Sequence, residues 1–98
     1  MPVQLDLNNK VFQRQWFSLE KDEKLAVLHC CNKLSQMDWA AIYRDKGLHW
    51  EAIQSRTDSA NGRLYSIRIT KKTRALVRRS GNFLEFLTLH PDHDSAYV

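Results

Sequence analysis

Arg68 and Arg74 flank a short Lys71-Lys72 connection. Leu64–Thr70 sets Tyr65, Ile67 and Ile69 against Ser66, Arg68 and Thr70, the period of two of a half-buried strand. Arg74–Arg79 reads as the next strand. Ser80-Gly81-Asn82 turns the chain into an apolar third, Phe83–His90, which Pro91 stops. Neighbouring antiparallel strands lie about 5 Å apart. That spacing brings Arg68, Arg74 and His90 close together. If helices cover the apolar face, Arg68 looks outward. Arginine is the bidentate phosphate binder. The chemistry such a surface offers is capture of a nucleic-acid backbone. The plain alternative for Arg68 is a surface charge pairing with Glu85.

A second candidate is Glu51, in Gly47-Leu48-His49-Trp50-Glu51. An exposed glutamate is ordinarily solvated. One that faces the arginines has a proton affinity that responds to them. Trp50 reads as core rather than as a stacking platform, and His49 as structural or solvated. The third candidate is the run from His90 through His93 to Tyr97. Its two histidines and two carboxylates suggest zinc, but no cysteine or second ligand cluster supports a site. The expectation is no metal and no cofactor. The chain holds no Walker A loop, GxGxxG or GxSxG element. His29 reads as a boundary residue on a helix.

The elements that must position these side chains follow from patterning. Val3, Leu5 and Leu7 alternate with polar residues and suggest a first strand. Asn8 or Asn9 caps a helix with an apolar stripe of Val11, Phe12, Trp16 and Leu19. Ser18 is placed to cap a second helix, with Glu20, Asp22 and Glu23 in its first turn. Leu25, Val27, Leu28, Cys31 and Leu34 give that helix a core side. Cys30 and Cys31 are adjacent and staple nothing, so at least one is a small buried hydrophobe. Residues 38–46 read as a third helix ended by Gly47. Residues 54–63 are polar, carry Asn61-Gly62 and read as a loop. The outline is α+β: an N-terminal strand and helical pair packed on a C-terminal three-stranded antiparallel meander.

The chain has 98 residues and a formal net charge of +4, which suits one domain, 1–98. The charge is unevenly placed. Residues 1–55 are neutral. Residues 56–79 carry eight basic side chains against Asp58, net +7, and residues 80–98 are net −3. A block this concentrated attracts phosphate-rich or acidic partners. No apolar run approaches the roughly 20 residues of a membrane span. MPVQLDLNNK lacks the plan of a signal peptide. A reducing cytoplasm is the expected location.

Three segments carry a family resemblance: GLHWEAI at 47–53, RLYSIRITKKTRAL at 63–76 and FLEFLTLHPDHDSAY at 83–97. Together with the outline they resemble the RelE/ParE superfamily, the toxins of type II toxin–antitoxin systems. The middle segment is the most specific. The resemblance implies a ribosome-dependent mRNA endoribonuclease, an mRNA interferase that inhibits translation by metal-independent transesterification. The ribose 2′-OH attacks the adjacent phosphorus and the 5′-oxygen leaves. Such a reaction needs a base, cations for the phosphorane and an acid.

By the same resemblance Glu51 matches the general base. Arg68 and Arg74 match the phosphate-binding arginines, and His90 matches a candidate acid. Arg63, Lys71, Lys72, Arg78 and Arg79 would contact RNA through its backbone. The chain departs from many relatives where an acid–base or aromatic residue follows the last strand, because Pro91 stands there. His93 or Tyr97 folding back would fill the role. Without an acid the enzyme would be weak or inactive. The implied partners are a cognate antitoxin, the ribosome and mRNA, with no membrane. Two alternatives stay open: a ParE-type inhibitor of DNA gyrase, and a non-catalytic basic module binding RNA or antitoxin.

Overall fold

The computed structural model describes residues 1–58 and 62–91; the side chains of 54–58 and 62 are not described. The elements are β1 (Gln4–Asp6), α1 (Lys10–Phe17), α2 (Lys21–Leu34), α3 (Trp39–Arg44), β2 (Glu51–Asp58), β3 (Gly62–Arg68), β4 (Arg74–Ser80) and β5 (Phe83–His90). They form an α+β fold around one five-stranded sheet of order β1-β5-β4-β3-β2. The four C-terminal strands are antiparallel neighbours, and β1 lies parallel to β5. The sheet is therefore mixed.

Local chemistry sets most boundaries. Asn9 Oδ1 accepts the Val11 and Phe12 amides at 2.9 and 3.1 Å and starts α1. Asp38 Oδ1 accepts the Ala41 amide at 2.8 Å and starts α3. Gly81, at φ 60°, supplies the left-handed residue in the turn between β4 and β5.

Three expectations are corrected. Val11, Leu25 and Leu28, expected on core-facing helix stripes, are instead exposed. Ser18 does not cap α2. It closes α1, its hydroxyl donating to the Arg14 carbonyl at 2.7 Å, and Glu20 precedes α2 without a side-chain cap bond. The described residues of 54–63 are strand rather than loop, while 59–61, part of the expected turn, lie outside the described residues. Residues through Asp58 belong to β2, and Gly62 and Arg63 open β3. Backbone pairing with β3 at Glu51, Ala52, Thr57 and Asp58, on either side of a register shift, holds β2 in the sheet, and an edge strand tolerates polar residues. The meander thus has four strands, not three.

The helices cover one face of the sheet. Phe12 is fully buried, its ring 5.2 Å from that of Phe86. Val27, Leu34, Ile42, Ile67, Ala75, Val77, Leu84 and Leu89 complete this core. Cys30 and Cys31 are both buried and free. Burial pushes their thiols up to about 12 and about 11, which keeps them protonated and unreactive. No helix among the described residues is long and apolar enough to cross a membrane.

Alternation sends the other residues of the central strands to the opposite face. Ser66, Arg74, Leu76, Arg78, Glu85, Thr88 and His90 share it by register. A bulge on β5 shifts that register between Leu76 and Val77. Leu76 pairs with Thr88 but Val77 with Phe86, so Leu87 has no partner of its own in the ladder.

Candidate functional site

Arg68 pairs with Arg74, and Arg74 pairs with His90, so three of the candidates form one row across β3, β4 and β5. Glu51 pairs with Ser66, two residues along β3 from Arg68 and so on the same face. At about 4.8 Å per strand, the four residues lie within roughly 14 Å across the sheet.

Arg74 is the centre of the row and is only 1% exposed. Its Nε and Nη2 donate to Ser66 Oγ at 3.2 and 2.7 Å. Nη2 also donates to the His49 carbonyl at 3.1 Å. A guanidinium taken from water must be hydrogen-bonded to persist. Ser66, itself fully buried, supplies much of that satisfaction. Arg68, by contrast, is exposed. Its amide donates to the Leu48 carbonyl at 2.7 Å, which extends the β2–β3 pairing past Glu51.

Glu51 is bound by His49, with Nε2 and Oε2 at 3.2 Å and about half of each side chain exposed. His49 has a left-handed backbone, φ 50°. Such a conformation costs an L-residue about 1–2 kcal/mol. The segment is held from both sides. Leu48 is buried and its amide donates to Asp45 Oδ1 at 2.9 Å. Trp50 stacks on Tyr65 at 4.6 Å and meets Trp39 and Tyr43. Trp50 therefore packs rather than standing free. The Leu48 amide, helped by Lys33 at 3.0 Å, holds the Asp45 carboxyl below its ordinary range.

At the other end of the row, His90 Nε2 and Thr88 Oγ1 share a hydrogen bond of 2.8 Å. Lys71 and Lys72 are exposed on the β3–β4 connection. That connection is tied to α2 through Glu23, whose Oε2 accepts from Thr73 Oγ1 at 2.8 Å and Thr70 Oγ1 at 3.5 Å. Arg63 is exposed at the start of β3.

The remaining two arginines make defined contacts. Arg78, not Arg68, meets Glu85, at 3.0 Å. Arg79 lies 4.4 Å over the Trp39 ring and donates to Tyr43 Oη at 2.8 Å, although it stays exposed. His93 and Tyr97 lie outside the described residues. Among the described residues no three His, Cys, Asp or Glu side chains gather in a metal-binding group.

Ser66 and Glu23 carry no functional signal in the sequence, and the reading of His49 as structural or solvated misses its contact with Glu51. Ser66 was visible only as the polar side of an alternating strand. Glu23 was assigned to a helix end. His49 is two residues from Glu51, the one local signal that the pair share a face.

No protein-family model and no curated protein matches the sequence. Solved structures do match the backbone. A chain of the archaeal RelE–RelB complex from Pyrococcus horikoshii OT3 superposes with a TM-score of 0.65 at 17% identity, covering 93% of this chain and 96% of that one. The chain has a RelE-like fold. A copper-bound mutant toxin from Helicobacter pylori shares it, with a TM-score of 0.56 at 14% identity over 95% and 97% of the two chains. Within this RelE-like fold, the row of Arg68, Arg74 and His90 crosses the sheet on the face away from the helices.

Proposed function

We propose that the protein is the toxin of a type II toxin–antitoxin system and acts as a ribosome-dependent mRNA endoribonuclease. The observation that carries this reading is that Glu51, Arg68, Arg74 and His90 are brought by register onto one patch of the sheet face opposite the helices. The RelE-like fold supports it.

Glu51 takes the proton of the ribose 2′-OH as its oxygen bonds to phosphorus. The bond from phosphorus to the 5′-oxygen breaks, and His90 gives that oxygen a proton. The products are a cyclic phosphate and a free 5′-hydroxyl. Arg68 contacts the phosphate. Arg74 works from beneath, because it is buried and its Nε and Nη2 already donate to Ser66 Oγ and the His49 carbonyl. A cation shielded from water is screened less, so its field still favours charge building on the phosphorane. His93 and Tyr97 remain candidates to share the acid role. Arg63, Lys71 and Lys72 supply exposed charge for ribosomal RNA, with exposed Arg79 at the other end of β4, whereas Arg78 is taken up by its ion pair with Glu85.

The proposed regulator is an antitoxin with an acidic segment that covers the +7 block. Its binding is expected to weaken with salt, and salt-indifferent binding would remove the basic face as the contact. The cytoplasm is the proposed location. The decisive experiment is primer extension on mRNA in a purified translation reaction. New cleavage sites that vanish with Arg68→Ala and Glu51→Gln are expected. No new sites, or full cleavage by both variants, overturns the nuclease reading; inhibited supercoiling would instead indicate the gyrase reading.

A further inference from the structure

His49 makes two contacts with the candidate site at once. Its ring Nε2 lies 3.2 Å from Glu51 Oε2, and its carbonyl accepts from Arg74 Nη2 at 3.1 Å. We infer that His49 is a positioning residue that fixes the Glu51 carboxylate relative to Arg74. The inference rests on the nuclease reading, since it assigns the residue that aims the base of that reaction.

The left-handed backbone makes the double contact possible. In an extended strand the carbonyl lies in the plane of the sheet, pointing at a neighbouring strand. At φ 50° the His49 carbonyl leaves the ladder and meets a side chain, the guanidinium of Arg74. Glycine would hold the same backbone without steric cost. The imidazole is therefore the part that the position adds. Half of it is exposed, so it is not there to fill the core.

The flanks prevent the device from drifting. Leu48 is anchored in the core and its carbonyl accepts the Arg68 amide at 2.7 Å. Trp50 is fixed by its ring contact with Tyr65. One short segment thus links Arg68 through Leu48, Arg74 through the His49 carbonyl, and Glu51 through the His49 ring. Displacing a reacting group by about 1 Å costs on the order of 100-fold in rate.

The test uses His49→Gly and His49→Gln in the full chain. Glycine keeps the left-handed turn and the carbonyl, and removes only the ring. Glutamine restores a side-chain amide donor. With wild-type protein cleaving mRNA on the ribosome, His49→Gly is expected to lower kcat by about 100-fold. KM for programmed ribosomes should stay unchanged, and His49→Gln should recover part of the loss. A second reading comes from NMR of the free protein at fixed pH, where Glu51→Gln is expected to move the His49 ring resonances, since the two side chains lie 3.2 Å apart. Unchanged kcat in folded His49→Gly, or a loss confined to KM, overturns the positioning role alone. Unmoved His49 ring resonances also overturn it, whatever the cleavage result. Absence of cleavage by the wild-type chain overturns the nuclease reading, and the positioning role with it.

Discussion

Ser66→Ala is the sharpest probe of the site's construction. The hydroxyl accepts two bonds from Arg74, at 3.2 and 2.7 Å, and both side chains are cut off from water. Removing it leaves those guanidinium donors facing a methyl group. A hydrogen bond to a charged group contributes about 1.5–3 kcal/mol, and orphaning a buried charged donor sits at or above the top of that range. Two bonds to one acceptor do not add fully, so about 3 kcal/mol is the expected loss. In a domain of this size each kcal/mol shifts Tm by about 4–8 °C, so a fall of about 12–24 °C should appear. Urea titrations of wild type, Ser66→Ala, Arg74→Met and the double variant give the coupling directly. The double variant should be more stable than Ser66→Ala, because methionine removes the stranded charge. A Ser66→Ala loss below about 1 kcal/mol, or additive single losses, would refute the buried Ser66–Arg74 pair.

Other consequences are equally specific. Asp45 has a depressed folded pKa, so its contribution is present above the unfolded value near 4 and is lost as pH falls through the folded value. Urea midpoints should therefore show Asp45→Asn less stable than wild type at pH 6, with the difference closing toward pH 2. The thiols of Cys30 and Cys31 should react with an aromatic disulfide at pH 8 more than about 100-fold more slowly in the folded chain than in urea. Glu23→Ala removes the acceptor of the Thr73 hydroxyl and should cost about 1.5–3 kcal/mol, read as a lower urea midpoint. Amide exchange at Lys72 and Thr73 should quicken in the same variant.

The parts of this fold that were legible in the sequence are those where one short stretch carries the whole cause. Asn9 caps α1 through amides two and three residues away. Phe83–His90 has the right ends because its apolar content, the Gly81 turn and Pro91 bracket it. The row of Arg68, Arg74 and His90 follows from strand order and a tight turn. Residues 54–58 failed because an edge strand owes its order to its neighbour's backbone, which no side-chain pattern records. The pairing of Glu85 with Arg78 rather than Arg68 depends on register across β4 and β5. The burial of Arg74 was equally hidden, since charge in a sequence says nothing of depth. His49 required a positive φ that nothing local demands.

The unmatched Leu87 has a structural consequence of its own. Leu84 and Phe86 face the helices before it, and Leu89 faces them after it, so the strand changes phase at that point. With unbroken pairing from the His90 end, Arg78 would stand opposite Phe86 and Arg79 opposite Glu85. The extra residue works as a clutch between two halves of one strand. It lets Arg78 meet Glu85 while Arg74 keeps His90 opposite it. Deleting Leu87 would leave every remaining side chain on its present face, because the apolar alternation then becomes continuous. The sheet's chemistry and its mechanical closure are thereby geared separately, although both run along the same eight residues.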